Sequence, residues 1–352
     1  MKRLQSLHRF FCWLSVLLLW GCAATVYVNP ALYGKYFGVV GLAFPGFVAF
    51  VLLMLVVSVL TWQRAGWICV LGLAACCGSL RDYCPVNLTS PPPKGCLSVM
   101  SYNVMSFGSP RKDGNDYVIP RYIVHASPDI VTMQEAFVGS DDSLGIYRYF
   151  RQNGYYFESH RIGQSALAVA SHFPITGVET ICRTHSNGAM AFTLRPSQRD
   201  SILVVCVHLQ SMGLSDEDRG HFHDMVRKPE EIEAIRGKRQ ILTKIANASR
   251  QRALMADTIM HYLDRHAGEP VILMGDFNDT PVSYAHHQVC GRLTDAYRAT
   301  ANGIGRSFNR DAIYVRIDNI FCSPHWKPFA CHVDGTVSFS DHYPIMAFLK
   351  PQ

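Results

Sequence analysis

Apolar residues are spread unevenly along the chain. From Phe10 to Val28 they run almost unbroken, and a second run extends from about Tyr36 to Trp62. Each is long enough to cross the hydrocarbon of a bilayer as a helix. Gln63 and Arg64 interrupt, and a third run, Ala65 to Leu80, is shorter and richer in Gly, Ala and Cys. By length it is marginal as a span. Beyond Leu80 the pattern changes to short bursts rich in Val, Ile and Phe and bounded by Gly, Pro, Asp and Ser, which predicts strands. These are Leu97 to Met105, Ile130 to Gln134, Ala166 to Ser171, Met190 to Leu194, Ile202 to Leu209, Val271 to Met274, Arg316 to Cys322 and Ile345 to Leu349. One polar stretch, Ser215 to His266, has helical spacing, with Ile241, Ile245, Ala248, Leu254, Met255, Ile259 and Leu263 as its apolar stripe.

The pattern therefore predicts a membrane region over 1–82, with two or three transmembrane helices at about 10–28, 37–62 and 65–80. A Pro-rich linker (NLTSPPPKG) follows over 83–96, and a soluble domain occupies 97–352. Many strands with few long helices predict two packed sheets with helices outside them. Three consecutive prolines predict an extended, stiff spacer. The triplet Asn87-Leu88-Thr89 is a formal glycosylation sequon, a pattern common by chance.

Composition agrees with a chain partly in lipid. Hydrophobic residues make up 49% of the 352 and charged residues only 17%, below the usual quarter. Lys2, Arg3 and Arg9 precede the first run and place the N-terminus in the cytoplasm. Three spans then put the soluble domain on the extracytoplasmic side, periplasmic in a bacterium, and two would put it in the cytoplasm. Three are expected, because Trp67 to Leu80 carries no charge. A cleavable signal peptide is the competing reading of the first run, and the long apolar run that follows it argues against that. The formal net charge of +6 suits an anionic substrate or an anionic membrane and decides neither. The twelve cysteines show no CxxC spacing, so no zinc site is expected. Those before Leu80 read as apolar fillers, and Cys84 and Cys96 would bridge only in an oxidising compartment.

Polar residues recur where the predicted strands run out: Asn103 in SYNVMSFG, Glu135 in PDIVTMQEAF, His208 in VVCVHLQSMG, Asp276 and Asn278 in VILMGDFNDTP, Asp318 in RIDNIFCSP, and Asp341 and His342 in FSDHYPIMAFL. Each alone has a bland reading as a turn, a helix start or a satisfied histidine. Together they suit hydrolysis of a phosphate ester. That reaction needs a cation on the non-bridging oxygens, an activated water and help for the leaving oxygen. Carboxylates and amides are the ligands Mg²⁺ prefers, and imidazoles beside carboxylates can be held in one tautomer. No nucleophilic Ser, Cys or Lys motif accompanies them, which points to direct attack by water.

The pieces YNV, QE, GQSALAVASHFPI, VHLQS, GDFND, RIDNIF and SDHYPI resemble, in this order, the endonuclease/exonuclease/phosphatase superfamily, over essentially all of Leu97 to Leu349. The resemblance is to a membrane-anchored, bacterial-type member. It implies an α+β fold, a four-layered α/β-sandwich of two facing, mostly antiparallel sheets flanked by helices, here preceded by the N-terminal transmembrane region. It implies Mg²⁺, or Mn²⁺, with Glu135 as main ligand and Asn103 and Asp341 placing the metal or its waters. Asp276 and Asn278 would orient or activate water and bind the phosphate. Asp318 would fix the ring of His342, which would bind phosphate or move a proton, and His208 would contact the phosphate opposite it. A carboxylate partner for His208 is not evident in the sequence, Glu158 being the nearest candidate. Ala136 stands where abasic-site nucleases usually carry a small hydroxyl residue. Met212 to about Ser249 is a charged insertion, read either as a solvated helical stretch or as a substrate lid carrying Arg219.

The expected partners are thus a phosphate-ester substrate (nucleic acid, phospholipid or phosphorylated metabolite) and the lipid bilayer, with no protein partner. The alternative is a catalytically silent binding or scaffold protein that keeps the fold. Transport through the spans is disfavoured by their lack of ionisable residues.

Overall fold

In the computed structural model the described residues are 2–108, 118–137, 145–213, 232–310 and 314–352. The chain forms two compact units. One comprises Met1–Tyr83 with Ser211–Leu254 and Thr280–His287, and the other comprises Cys84–Gln210, Met255–Asp279 and Gln288–Gln352.

The first unit is helical. Helices Lys2–Ala24, Phe44–Leu60 and Gly66–Ala75 pack on one another. Cys12, Val16, Leu19, Val51 and Cys69 form their inner seam. The backbone at Gly72 lies so close to Val16 that an added Cβ would meet its side chain at 2.5 Å. Small residues at such a crossing let two helices approach closely. Outward, Leu4, Phe10, Trp13, Leu17, Leu53, Val59 and Trp67 are exposed. Apolar residues on both faces explain why the sequence runs show no helical periodicity.

The helices are shorter than the apolar runs. The second run breaks into Phe37–Gly41 and Phe44–Leu60, the latter with Pro45 in its first turn, where the missing N–H costs nothing. The third breaks at Cys76 into Gly66–Ala75 and Cys77–Tyr83. Of all these, one helix, spanning Arg3–Tyr27, is long and apolar enough to cross a membrane. The chain between the first two apolar helices is tied to later segments of the same unit. Lys35 Nζ donates to Asn247 Oδ1 at 2.8 Å and Asn29 Nδ2 to Tyr284 Oη at 3.0 Å.

Helix Ile232–Arg265 carries the predicted stripe. Ile241, Ala248, Met255, Ile259 and Leu263 are buried, but Leu254 is 43% exposed and Arg252, at 1%, takes the inward position. Arg219 lies outside the described residues.

The second unit holds two six-stranded mixed sheets. The strands are β1 Leu97–Asn103, β2 Ile130–Gln134, β3 Tyr156–Ile162, β4 Ser165–Ser171, β5 Ile175–Arg183, β6 Gly188–Leu194, β7 Ile202–His208, β8 Val271–Asp276, β9 Thr294–Asp295, β10 Asp318–Cys322, β11 Trp326–Val333 and β12 Ile345–Pro351. Their orders are β11-β12-β1-β2-β4-β3 and β5-β6-β7-β8-β10-β9. Between the sheets Val99, Leu167, Val169, Phe192, Val204, Met274 and Ile320 form one fully buried cluster, each side chain of this kind contributing about 1.5–3 kcal/mol. A second cluster, with Met100, Tyr102, Met133, Phe150 and Phe157, fills the outer face of the first sheet and includes Ile123 and Ile146 from the helices Val118–Ala126 and Ile146–Gln152. Over the other sheet, Tyr262 of the long helix donates to Glu179 of β5 at 3.0 Å. The result is a helix–sheet–sheet–helix sandwich.

Each sheet contains one parallel pair, β1/β2 and β7/β8; every other pairing is antiparallel. A parallel pair ends two strands side by side, and this placement builds the site described below.

The residues after Tyr83 are not a free spacer at their start. Asn87 Nδ2 donates to the carbonyls of Ala301 (2.6 Å) and Arg298 (3.0 Å), and Gly303 N donates to Pro85 O. All twelve cysteines are free, so the conditional Cys84–Cys96 bridge is not formed.

Candidate active site

The site follows from strand register. In the first sheet Asn103 pairs with Gln134 at the ends of β1 and β2, so Glu135 emerges next to Asn103. In the second, His208 pairs with Asp276 at the ends of β7 and β8, and Asp318 at the start of β10 pairs with the same Asp276. The sheets face each other, and the two ends meet: Asn103 Nδ2 donates to Glu135 Oε1 and to Asp276 Oδ2, both at 3.2 Å.

His208 Nε2 lies 3.8 Å from Glu135 Oε1 and 3.7 Å from Asp276 Oδ2. His342 Nε2 lies 3.7 Å from that same Asp276 oxygen, while its Nδ1 is 2.8 Å from Asp318 Oδ2. Asp276 Oδ1 accepts from Asn278 N at 2.7 Å, an Asx turn that swings the Asn278 amide back to Asp276 Oδ2 and to Leu209 O. Asp341 is tied in less directly. Ser340 Oγ donates to Asn103 O at 2.7 Å and sits 3.3 Å from Asp341 Oδ1, and Arg310 Nε is 3.5 Å from Asp341 Oδ2. The structure thus brings Asn103, Glu135, His208, Asp276, Asn278, Asp318 and His342 into one cluster and sets Asp341 on its rim.

Local backbone serves this convergence. Glu135 and Asn278 both hold positive φ, 53° and 50°, a region that side-chain-bearing residues enter at a cost and that is enriched at functional sites. Gly275, the first residue of GDFND, has φ +153°, and a Cβ there would meet Val207 O at 1.8 Å. Glycine is required because the Val207 carbonyl of β7 fills the space a side chain would need just before His208 and Asp276.

Burial sets the electrostatics. Asp276 is 1% exposed, and desolvation pushes its carboxyl up to about 7 against the opposing pull of His342. His208 is buried and pushed down to about 3, by desolvation first and by His342 second. Neither of its ring nitrogens has a hydrogen-bond partner among the described residues. Burial would also depress His342, but the carboxylates of Asp318 and Asp276 outweigh it and raise the ring to about 10. Glu135 differs, its side chain being 39% exposed.

Two sets of groups suggest a cation. Glu135 and Asp341 present partly exposed carboxylates, the donor chemistry of Mg²⁺ or Mn²⁺, whereas Asn103 is buried with its Oδ1 accepting from Met105 N at 3.2 Å. Asp276, Asp318 and His342 also bring one ligand atom each within 4.8 Å of one another. There the His342 Nδ1 is already committed to Asp318, which makes an acid–imidazole pair of two of the three.

One expectation is displaced. Glu158 sits beside His160 at 3.5 Å, and the carboxylates near His208 are Asp276 and Glu135. Sequence reasoning passed over Asn187. Its Nδ2 donates to Leu209 O, which also receives Asn278, and it is buried with Oδ1 unpartnered. The available signal was an Asn-Gly pair opening a strand. Ser307 was also passed over; its Oγ accepts from the N–H groups of Ile317 and Asp318.

Residues 100–342 match the family model described as the Endonuclease/Exonuclease/phosphatase family, and residues 5–83 match a domain of unknown function (DUF8431). No curated protein matches the chain. Solved structures with a similar fold include D. rerio TDP2 complexed with a single-strand DNA product (16% identity, TM-score 0.53, 73% of this chain and 100% of that one). The human Nocturnin catalytic domain with a bound sulfate is similar at 15% identity and TM-score 0.52, over 74% of this chain and 97% of that one. An endonuclease/exonuclease/phosphatase from Bacteroides vulgatus is similar at 17% identity and TM-score 0.53, over 74% and 100%. The chain belongs to the endonuclease/exonuclease/phosphatase family, a hydrolase of phosphate esters whose family depends on a divalent metal.

Proposed function

We propose that this chain is a membrane-held, Mg²⁺- or Mn²⁺-dependent phosphodiesterase that works by direct attack of water. The observation that carries the reading is the junction of the two parallel-pair ends, where Asn103 bridges Glu135 to Asp276.

Glu135 is the main metal ligand, with Asn103 and Asp341 placing the ion or its waters. When bound, the cation supplies positive charge for the non-bridging phosphate oxygens. Asp276, near neutrality through burial, accepts the proton of the attacking water, which Asn278 helps orient. His342, charged and fixed by Asp318, binds the anionic phosphate and protonates the leaving oxygen as the P–O ester bond breaks. His208 offers its unpartnered ring to the phosphate from the opposite side. Arg219 is proposed as a further substrate contact on the charge of its segment alone.

The membrane reading is supported by the helix Arg3–Tyr27 and by the outward Trp and Leu side chains of the helical unit. The basic N-terminus favours a cytoplasmic start, and three spans would carry the sandwich to the extracytoplasmic face. Protease protection in sealed vesicles tests this, since a sandwich digested only from the cytoplasmic side would reverse the topology.

The test of function uses the full chain in detergent, because Ser211–Leu254 and Thr280–His287 belong with the N-terminal unit and truncation would strip their partners. Single-stranded DNA, which D. rerio TDP2 holds as product, is assayed beside duplex DNA, RNA, sphingomyelin, phosphoinositides and an aryl phosphodiester, with Mg²⁺, Mn²⁺ or chelator. Metal-dependent cleavage lost in Glu135→Gln supports the reading and names the substrate. A folded, metal-binding chain that cleaves none of them would favour a silent scaffold.

A further inference from the structure

The carboxylate of Asp318 is fully buried, with Oδ2 2.8 Å from His342 Nδ1 and Oδ1 without a hydrogen-bond partner among the described residues. An acid tethered at one oxygen takes its aim largely from the backbone beneath it. On one flank β8 holds that backbone: Asp318 pairs with Asp276, and Phe277 N donates to Ile317 O at 2.8 Å. On the other flank lies β9, which is two residues long and pairs only with Phe321 and Cys322. Asp318 is beyond its reach, and a side chain takes the place of the missing strand. Ser307 Oγ accepts from Ile317 N at 2.9 Å and from Asp318 N at 3.0 Å. A hydroxyl oxygen has two lone pairs, enough for both, and Ser307 is fully buried, so solvent does not replace it.

The same residue holds the other member of the pair. Ser307 O accepts from Tyr343 N at 2.7 Å. Phe308 forms an antiparallel bridge with His342, and its ring stands edge-on 5.2 Å from the imidazole. Asn309 N donates to Asp341 O at 2.9 Å and Asn309 Nδ2 to Ser340 O at 2.7 Å. Ser307 to Asn309 thus lie along Ser340 to Tyr343 as a short pairing, while the Ser307 side chain reaches to the start of β10. One residue joins the two partners, side chain to the acid and main chain to the segment of the imidazole.

We propose that Ser307 is a positioning residue for hydrolysis: it sets the contact between Asp318 Oδ2 and His342 Nδ1, and through it the aim of His342 at the leaving oxygen. The effect on the leaving oxygen rests on the phosphodiesterase reading; the hold on the acid–imidazole contact does not.

The contact is read first, by proton NMR on the full chain in detergent with chelator. The proton shared between His342 Nδ1 and Asp318 should give a low-field resonance, recognised by its loss in Asp318→Asn. Ser307→Ala should shift or remove it, and Ser307→Cys, which keeps the shape but offers a weak acceptor, should move it less. Thr300→Val removes another hydroxyl that accepts a backbone N–H, that of Cys331, and should leave the resonance in place. A resonance unchanged in both Ser307 variants overturns the proposal. With Mg²⁺, the same variants are assayed on single-stranded DNA, whose alkoxide leaves with a proton, and on the nitrophenyl ester of thymidine monophosphate, whose phenolate leaves without one. Ser307→Ala should lower kcat about thirtyfold on the first and about threefold on the second with KM nearly unchanged, a share of the 10²-fold or more that a positioned acid contributes. Equal losses on both esters would mean a general loss of structure and overturn the positioning role. A resonance that responds to Ser307 in a chain whose wild type cleaves no ester would keep the hold on the contact and remove the catalytic reading; wild-type cleavage that neither Ser307 variant alters would do the reverse.

Discussion

In the first sheet the parallel pair ends in an amide and a half-exposed carboxylate, Asn103 and Glu135, with no imidazole. In the second it ends in His208 and Asp276, both buried, with the Asp318–His342 pair closing over Asp276. The same topological device, two strands finishing side by side, is used twice for different chemistry. Where solvent reaches the strand end, a carboxylate stands open to a hard cation. Where packing excludes solvent, protonation states are set by desolvation and by neighbours. On the proposed reading the contrast is that of a metal half and a proton half, joined by the Asn103 amide.

The sharpest way to break that division is Glu135→Gln. If the first half holds the metal, turnover should fall by about 10³-fold, and part of the loss should return as Mg²⁺ or Mn²⁺ is raised. The check is a metal titration of the steady-state rate; a loss that no metal concentration relieves would deny Glu135 the role of ligand.

Asp318→Asn should act on the other half. The ring of His342 loses its buried anionic partner, and the rate should drop by about 10²-fold, within the range of general acid–base effects. Added metal should not restore it. Recovery by metal in this variant would merge the two halves into one.

Gly275→Ala tests the geometry beneath both. The new methyl would strike Val207 O, so β7 and β8 must part, at a cost of about 2–3 kcal/mol. A fall in Tm together with weaker activity is expected; an unchanged Tm would show that the strand ends tolerate separation.

These residues were legible because they stand at strand ends in recognisable strings such as GDFND and SDHYPI, and a strand's end is where periodic apolar sequence stops. The four strands that the apolar pattern does not predict, β3, β5, β9 and β11, are the four sheet edges. Edge strands such as β5 expose much of their length and carry residues such as Glu179 and Arg183, so alternation is blurred there. Central strands such as β7 are buried throughout and read as continuous apolar runs. In the helical unit the reverse held: unbroken apolar runs hid the breaks at Leu42–Ala43 and Cys76, because outward and inward residues look alike when both are apolar. Asn187 offered only its Asn-Gly pair and Ser307 no pattern at all, because their work is done by hydrogen bonds to segments distant in sequence or separated by a loop.

The smallest expected effect concerns pH, with chelator present. Burial holds His208 near 3, below its unfolded value of about 6.5. Its contribution to stability is therefore present above pH 6.5 and lost as pH falls toward 3, because the unfolded state gains the proton first. His342, raised to about 10 by Asp318 and Asp276 over the opposing effect of burial, contributes below pH 6.5 and loses that contribution as pH rises through 10. The two imidazoles thus bound the stability of the second sheet's half from opposite sides. Thermal unfolding of the full chain should show a Tm gap between wild type and Asp318→Asn of several degrees near pH 6, since about 1 kcal/mol shifts Tm by about 2–4 °C in a chain of this size class. The gap should narrow as pH rises from about 6.5 toward 10, because the unfolded ring has then lost its proton while the folded ring holds it until about 10. A gap constant from pH 6 to pH 10 would mean that the His342–Asp318 contact is a neutral hydrogen bond, and the proton half of the site would have to be centred on Asp276 alone.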